Sequence, residues 1–221
     1  MKKDSKLYGV IGLGRFGFAL AKSLAEAGRE VLVIDSDEQK IREAAAFTDN
    51  AFIIGALTME SLREAGVQNC DVAVVCIGEK IDVSILTTLT VLRLGVPHVI
   101  SKAISPEQGS VLEMLGAEVV YPERDMAVRV ARRLTEPQVL EYISLSADVD
   151  MAELRLTDRI QAATVRDLEL RARYGLNIIA IRKDGNLDTD VGPETQLHPE
   201  DALVVVGKKD NLRRFEKMLE G

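Results

Sequence analysis

The chain has 221 residues, of which 47% are hydrophobic and 29% are charged, and its formal net charge at pH 7 is −7. This composition indicates a soluble globular protein, and the length allows either one large domain or one domain with a smaller second one. The negative charge argues against nucleic acid as a partner, because a phosphate backbone is bound mainly by clustered lysine and arginine. We find no apolar run of the roughly 20 residues that a membrane-spanning helix requires, and we therefore expect a cytoplasmic protein.

The first segment of the chain is the most informative. An apolar strand at Leu7–Ile11 leads through three glycines at G-x-G-x-x-G spacing and an alanine-rich helix into a second strand that ends at Asp35, as in dinucleotide-binding βαβ units. Gly12 would form the tight turn, Gly14 would let a pyrophosphate approach the backbone, and Gly17 would let the helix pack closely on the strand. Asp35 is expected to accept hydrogen bonds from a ribose diol, and its charge makes NADP the least expected ligand.

Helices and strands continue to alternate after Asp35. The predicted elements are helix 38–46, strand 51–54, helix 59–65, strand 72–77, helix 81–94, strand 98–101, helix 107–115 and strand 118–121. Such alternation predicts a parallel sheet covered on both faces, that is, a Rossmann-type doubly wound α/β domain over residues 1–121. Its ligand should lie outside the carboxyl ends of the strands, where the strand order reverses.

The pattern changes after residue 121. A helix over 123–134, a break at 135–137 and a short helix over 138–143 predict a helix-turn-helix crossover at 122–147, whose apolar face could pack on its own domain or on a second subunit. Beyond it, strands at 151–156, 177–182 and 203–206 with short helices at 164–170 and 211–219 predict a small α+β lobe over 148–221. No second glycine-rich unit occurs.

Groups that could catalyse a reaction are scarce. His98 and His198 have no evident carboxylate or thiol partner in the sequence, Cys76 is expected to be a buried thiol, and the common hydrolase and P-loop motifs do not occur. A nucleotide site without a general acid or base favours sensing over turnover, so we expect that the chain is not an enzyme. Two alternatives stay open: a small NAD-dependent oxidoreductase with His98 or Lys102 as its acid, and an NADH-responsive redox sensor.

Several charged residues allow two interpretations. Arg15, inside the glycine loop, either contacts a terminal phosphate in its own or a neighbouring subunit or is a solvated arginine at a helix start. Glu123, in the first turn of the crossover helix, either complements the helix dipole or joins a divalent-cation site. Lys102, at the end of the fifth strand, is either a phosphate contact or solvated. Arg171 and Arg173 form a basic cluster at a helix end, where cations are common in any case.

Three segments together resemble the RCK proteins, the regulators of potassium conductance, and most closely the cytosolic gating subunits of bacterial Ktr potassium-uptake systems. They are the glycine loop at 10–17, the Tyr-Pro-Glu-Arg-Asp-Met corner at 121–126, and Asp-Leu at 167–168 followed by Arg-Ala-Arg-Tyr-Gly at 171–175. The resemblance covers nearly the whole chain. Related Trk subunits carry two Rossmann units and prefer NAD(H), so the single unit here favours the Ktr form.

This resemblance implies a regulatory subunit held at the inner face of the membrane by a potassium-translocating subunit of Ktr or Trk type. It implies a homodimer built by the crossover, assembled into a homo-octameric ring whose shape differs between bound ATP and bound ADP, with NAD(H) as the alternative ligand. Glu123 would join a divalent-cation site, Mg or Ca, at the dimer interface. The nucleotide contacts expected from the motif and the resemblance are Gly12, Gly14, Arg15, Phe16, Gly17, Asp35 and Lys102, with Arg15 reaching the terminal phosphate across the dimer.

The resemblance also implies a second ligand. Some members of the family bind cyclic di-AMP between two C-terminal lobes. The positions of this chain that match are Arg171, Ala172, Asn177 and Pro193.

Overall fold

The computed structural model describes residues 6–135, 138–160 and 164–220. The chain divides into two compact units, Met1–Asp125 and Met126–Gly221. In the first unit the strands are β1 (Leu7–Ile11), β2 (Glu30–Asp35), β3 (Asn50–Ile53), β4 (Val72–Val75), β5 (His98–Lys102) and β6 (Glu118–Val120), and the helices are α1 (Arg15–Glu26), α2 (Glu38–Ala44), α3 (Met59–Glu64), α4 (Ile81–Arg93) and α5 (Pro106–Met114). Helix α6 (Pro122–Thr135) begins at the end of this unit and continues into the second.

The sheet of the first unit has the strand order β3-β2-β1-β4-β5-β6. All five pairings between neighbouring strands are parallel, so the predicted doubly wound α/β fold is confirmed. Alternate side chains of the central strands enter two separate cores: Ile11 and Ile34 pack on one face of the sheet, and Val10 and Val33 on the other. The strand order reverses between β1 and β4, which places the expected ligand position at the carboxyl ends of these two strands.

Within the described residues, the second unit contains one antiparallel sheet and, beyond α6, three helices. Its strands are β7 (Val139–Ser144), β8 (Val149–Arg155), β9 (Asn177–Lys183), β10 (Asn186–Asp188) and β11 (Ala202–Lys208), and its helices beyond α6 are α7 (Val165–Leu168), α8 (Leu170–Tyr174) and α9 (Lys209–Glu220). The strand order is β10-β9-β11-β8-β7. Leu154 and Leu203 from the sheet and Leu212 and Phe215 from α9 lie fully buried in one core, so the predicted α+β lobe is confirmed.

One predicted element is wrong. The helix expected over 138–143, the second of the helix-turn-helix crossover, is strand β7, which pairs antiparallel with β8. Val139 is buried and Tyr142 packs against the same core; the register of β7 on β8 shifts between Val139 and Glu141, and this irregularity lets residues three apart face one side. Residues 136 and 137 of the predicted break lie outside the described residues. The predicted domain limits at 121 and 147 stay a prediction.

None of the helices in the described ranges combines the length and the apolar character that crossing a bilayer demands.

Candidate functional site

The loop between β1 and α1 constrains its three glycines differently. Gly12 has a φ of +98°, in the left-handed region that side chains rarely adopt. A Cβ on Gly17 would lie 2.0 Å from the carbonyl oxygen of Gly12, so α1 can approach the loop only with glycine at this position. Gly14 is the N-cap of α1, and a Cβ there would meet no heavy atom within 4 Å. Gly14, Arg15 and Phe16 line the cleft at the start of α1, where the free N–H groups of a first helical turn suit an anion.

The Asp35 carboxylate joins the end of β2 to this loop. Its Oδ2 accepts a hydrogen bond from the Leu13 N–H at 2.6 Å, and its Oδ1 accepts one from the Asp37 N–H at 2.9 Å. Lys40 Nζ lies 3.6 Å from Oδ2, and the Asp35 side chain is only 9% exposed. A carboxylate has about four acceptor positions, so those that the protein leaves are available to a ribose diol without rearrangement of the loop.

A cleft of about 540 Å³ lies at this edge of the sheet. Of the predicted nucleotide and metal residues, Gly17 does not line the cleft and instead supports it through packing. The other predicted residues all line the cleft: Gly12, Gly14, Arg15, Phe16, Asp35, Lys102 and Glu123. The lining also includes the loop residues Ser36, 54–57 and 78–80 and, from α2, Lys40. Of these, Ser36, Lys40 and 78–80 were not predicted, and their only signal was that they follow β2 and β4, whose carboxyl ends share one edge.

Lys102 and Glu123 form an ion pair in this lining. Lys102 Nζ lies 2.5 Å from Glu123 Oε1, with the lysine side chain 12% and the glutamate side chain 62% exposed. The hydrogen bond from Lys102 holds the pKa of Glu123 below its ordinary value, and the positive charge of Arg15 acts in the same direction. Lys102 is therefore paired rather than solvated, and a phosphate that binds it has to compete with Glu123.

Replacing Lys102 with methionine should raise the pKa of Glu123 toward its ordinary value, because the main group that stabilises the carboxylate is lost. In the unfolded chain the pKa of a glutamate is about 4.3, and in the folded chain that of Glu123 is lower. Ionised Glu123 therefore stabilises the fold above about pH 4.3, and this stabilisation disappears as the pH falls through the folded pKa. Carboxyl-carbon NMR titration measures the change. The control is Lys80→Met, another lysine of the cleft. An unchanged Glu123 pKa in the Lys102 variant would contradict the pairing.

The part of the chain that the structure describes does not bring together a metal site. Among the residues at 6–135, 138–160 and 164–220, no three His, Cys, Asp or Glu side chains group closely enough to hold an ion. The cation site with Glu123 stays a prediction.

Of the two residues named as a catalytic acid, Lys102 lines the cleft and pairs with Glu123, whereas His98 does not line it. His98 begins β5, at the edge of the sheet opposite the cleft, and His198 neighbours Asp201, whose Oδ2 lies 3.5 Å from the histidine Nδ1. Cys76 lines the cleft, and its burial raises the pKa of the thiol to about 12, so that it stays protonated and is a poor nucleophile. Cys76 is a buried thiol, as predicted.

A second cleft of about 410 Å³ lies in the second unit. All four residues predicted for a second ligand line it: Arg171, Ala172, Asn177 and Pro193. They meet because Gly175, with a φ of +66°, ends α8 and turns the chain into β9. The sequence analysis missed Arg166, which lines the same cleft, pairs with Glu194, and donates its N–H to the Pro193 carbonyl at 2.9 Å.

The two units match two domain families. Residues 8–122 match the TrkA-N domain and residues 163–220 match the TrkA-C domain. The chain is 41% identical over 219 residues to the Ktr system potassium uptake protein C of Bacillus subtilis (strain 168), which covers 98% of this chain and 97% of that protein. It is 37% identical over 213 residues to the Ktr system potassium uptake protein A of the same organism, which covers 96% of each.

The GsuK channel has the same fold, with a TM-score of 0.68 at 22% identity, over 99% of this chain and 40% of the channel chain. The chain thus combines a TrkA-N domain with a TrkA-C domain, the arrangement of the RCK proteins. It belongs to the family of Ktr system potassium uptake proteins. This family membership confirms the prediction that the chain is a Ktr-type protein of potassium transport rather than an enzyme.

Proposed function

We propose that this chain is a nucleotide-sensing regulatory subunit that gates a membrane potassium-translocating subunit. The observation that carries the proposal is the cleft in which a glycine loop, a helix N-terminus and Asp35 meet, in a chain whose full-length relatives are Ktr system potassium uptake proteins. The N–H groups at the start of α1 would bind phosphates, and Asp35 would bind the ribose. The chain would act in the cytoplasm, at the inner face of the membrane, through its partner.

ATP and ADP are the proposed ligands, with NAD(H) as the alternative. Arg15 and Lys102 would supply positive charge to the phosphates, and Arg15 would contact the terminal one. Nucleotide exchange regulates the partner only if ATP and ADP differ in their affinity for two conformations of the assembly. A coupling of about 1–3 kcal/mol would change activity roughly 5–150-fold, with no bond made or broken.

The proposed assembly is a homodimer that forms a homo-octameric ring. Its support is the apolar surface of α6, where Met126, Val128, Val130 and Leu134 are exposed large hydrophobic residues. Met126, Val130 and Leu134 follow one another at four-residue spacing and therefore share one side of the helix, which a second copy would remove from water. Arg15 and Glu123 would then act near the interface. A monomer in sedimentation analysis would contradict this assembly.

Calorimetric titration with ATP, ADP and NADH tests the proposal. We expect ATP or ADP to bind with a Kd of about 1 μM or lower, which is about −8.2 kcal/mol or more favourable. Arg15→Ala should weaken ATP more than ADP, because only ATP brings the terminal phosphate that the guanidinium would contact. Arg29→Ala is the matched control, since Arg29 is exposed and does not line the cleft.

Three outcomes would contradict parts of this proposal. Binding of NADH without ATP would favour the Trk-like alternative, and consumption of a nicotinamide cofactor would favour the oxidoreductase. Equal losses of ATP and ADP affinity in Arg15→Ala would remove the terminal-phosphate role.

The second cleft supports a second ligand, for which we propose cyclic di-AMP. Arg171, Ala172, Asn177 and Pro193 line this cleft together, and the Arg171 guanidinium would pair with a ligand phosphate.

A further inference from the structure

The topology determines the direction in which a bound nucleotide extends. The glycine loop follows β1, Asp35 ends β2, and β3 pairs with β2 on the side away from β1, with Ile53 opposite Asp35. The Ile54 N–H donates to the Asp35 carbonyl at 3.0 Å, so the chain leaves β3 directly beside Asp35. With its phosphates on the loop and its ribose at Asp35, a nucleotide therefore places its base over residues 54–57, which line the cleft. We call this segment the base wall.

The base wall has no polar side chain. Its sequence is Ile-Gly-Ala-Leu, and Ile54 and Leu57 pack against the apolar core behind it. The nearest hydroxyl groups along the chain belong to Thr58 and Ser61, and helix capping already engages both of them. Thr58 Oγ1 accepts from the Ser61 N–H at 3.2 Å, and Ser61 Oγ donates to the Ala56 carbonyl at 2.7 Å. The wall thus provides apolar contact and main-chain groups to a base.

We propose that this site discriminates weakly among purine bases and binds guanine and hypoxanthine nucleotides nearly as well as adenine nucleotides. The inference rests on the proposed nucleotide binding and specifies the ligand class of the same cleft. A site whose buried polar side chains hydrogen-bond a substrate group discriminates by a factor of about 10⁴–10⁵ against an analogue that lacks this group. An apolar pocket discriminates by a factor of only about 100 against an isostere with an added polar group. The base wall belongs to the second kind, because a purine of either type can cover Ile54 and Leu57.

Most charged side chains of the cleft lie away from the base wall; Glu79 and Lys80, for example, follow β4, which lies on the far side of β1 from β3. Arg15 starts α1 at the phosphate side, Lys102 pairs with Glu123, and Lys40 approaches Asp35. Ser36 follows Asp35 and is the cleft hydroxyl closest in sequence to the proposed ribose position. Its hydroxyl can both donate and accept, so it suits the adenine amino group and the guanine carbonyl alike.

Titration of the full chain with ATP, ITP, GTP and CTP tests the proposal, because the four ligands share ribose and triphosphate and differ only in the base. We expect the Kd values of ITP and GTP to lie within about tenfold of that of ATP, and CTP to bind more weakly because its single ring covers less apolar surface. A preference for ATP over GTP of more than about 100-fold would overturn the inference. If ATP itself does not bind, the proposed function fails instead, so the two failures are distinguishable.

A change in discrimination provides the second measurement. Gly55 has no positive φ, and a Cβ there would meet no heavy atom within 4 Å, so a side chain can be added to the base wall without strain. In Gly55→Asp the new carboxylate can accept from the adenine amino group or from the N1–H and amino groups of guanine, and we expect the ratio of ATP affinity to GTP affinity to change at least tenfold. Gly55→Ala, the control, should leave the preference unchanged. An unchanged preference in Gly55→Asp would overturn the assignment of 54–57 as the base wall.

Discussion

Gly17→Ala should abolish nucleotide binding and lower the free energy of unfolding by about 3 kcal/mol, the upper part of the range for overpacking a filled site. The alanine Cβ would lie 2.0 Å from the Gly12 carbonyl oxygen and 3.0 Å from the Cys76 Cβ. The first of these neighbours is backbone and cannot rotate away, so α1 has to move from β1 and the loop has to open. Urea unfolding measures the loss of stability, and titration with ATP measures the loss of binding.

Gly14→Ala is the matched control, because it adds the same methyl group to the same glycine loop, three residues earlier in the sequence. No heavy atom lies within 4 Å of its added Cβ, so the loss of stability should not exceed about 1 kcal/mol, the cost of alanine at an N-cap position. The methyl would occupy the space through which a pyrophosphate approaches the backbone, so ATP affinity should still fall. Normal stability and affinity in Gly17→Ala, or full affinity in Gly14→Ala, would contradict these separate roles.

The parts of the structure that the sequence predicted are those with a strong local pattern. The glycine spacing with Asp35 at the end of β2 predicted the loop geometry, since each glycine meets a different steric requirement there. The runs of apolar residues predicted the parallel strands, because a strand buried on both faces is apolar throughout. The cluster around Arg171 and Asn177 was also predicted as a site, and both residues line the second cleft.

The parts that were missed depend on distant neighbours. Strand β7 has a short apolar run that suits a helix equally well, and only its pairing with β8 decides the outcome. Short helix α8 was not separated from α7 because the break is Glu169 at a φ of 48°, a conformation that its residue type does not signal. The Lys102–Glu123 pair joins residues on β5 and α6, and Lys40 reaches Asp35 from α2, so neither contact leaves a motif in the sequence.

The two clefts should lose their ligands independently. Asp35→Ala should weaken ATP at least tenfold, or about 1.4 kcal/mol, because the proposed acceptor of the ribose diol is removed. It should also destabilise the first unit, since the Leu13 N–H loses the carboxylate that it donates to at 2.6 Å. Affinity for cyclic di-AMP should stay unchanged. Arg171→Ala should do the reverse, with cyclic di-AMP binding lost and ATP binding kept, because Arg171 lines the second cleft and not the first.

Asp37→Ala separates the loss of a ligand contact from the loss of a nearby carboxylate. Asp37 caps α2 by accepting from the Gln39 N–H at 2.9 Å, and it does not line the cleft. Its replacement should cost about 1 kcal/mol of stability, as loss of an N-cap does, and leave ATP affinity unchanged. Isothermal titration of the three variants with both ligands makes the comparison. Full ATP affinity in Asp35→Ala would contradict the ribose contact, and equal weakening of both ligands by Arg171→Ala would contradict two separate sites. If the two ligands bind through separate contacts, no side chain is shared between the clefts. Any coupling between their affinities then comes from the conformation of the assembly.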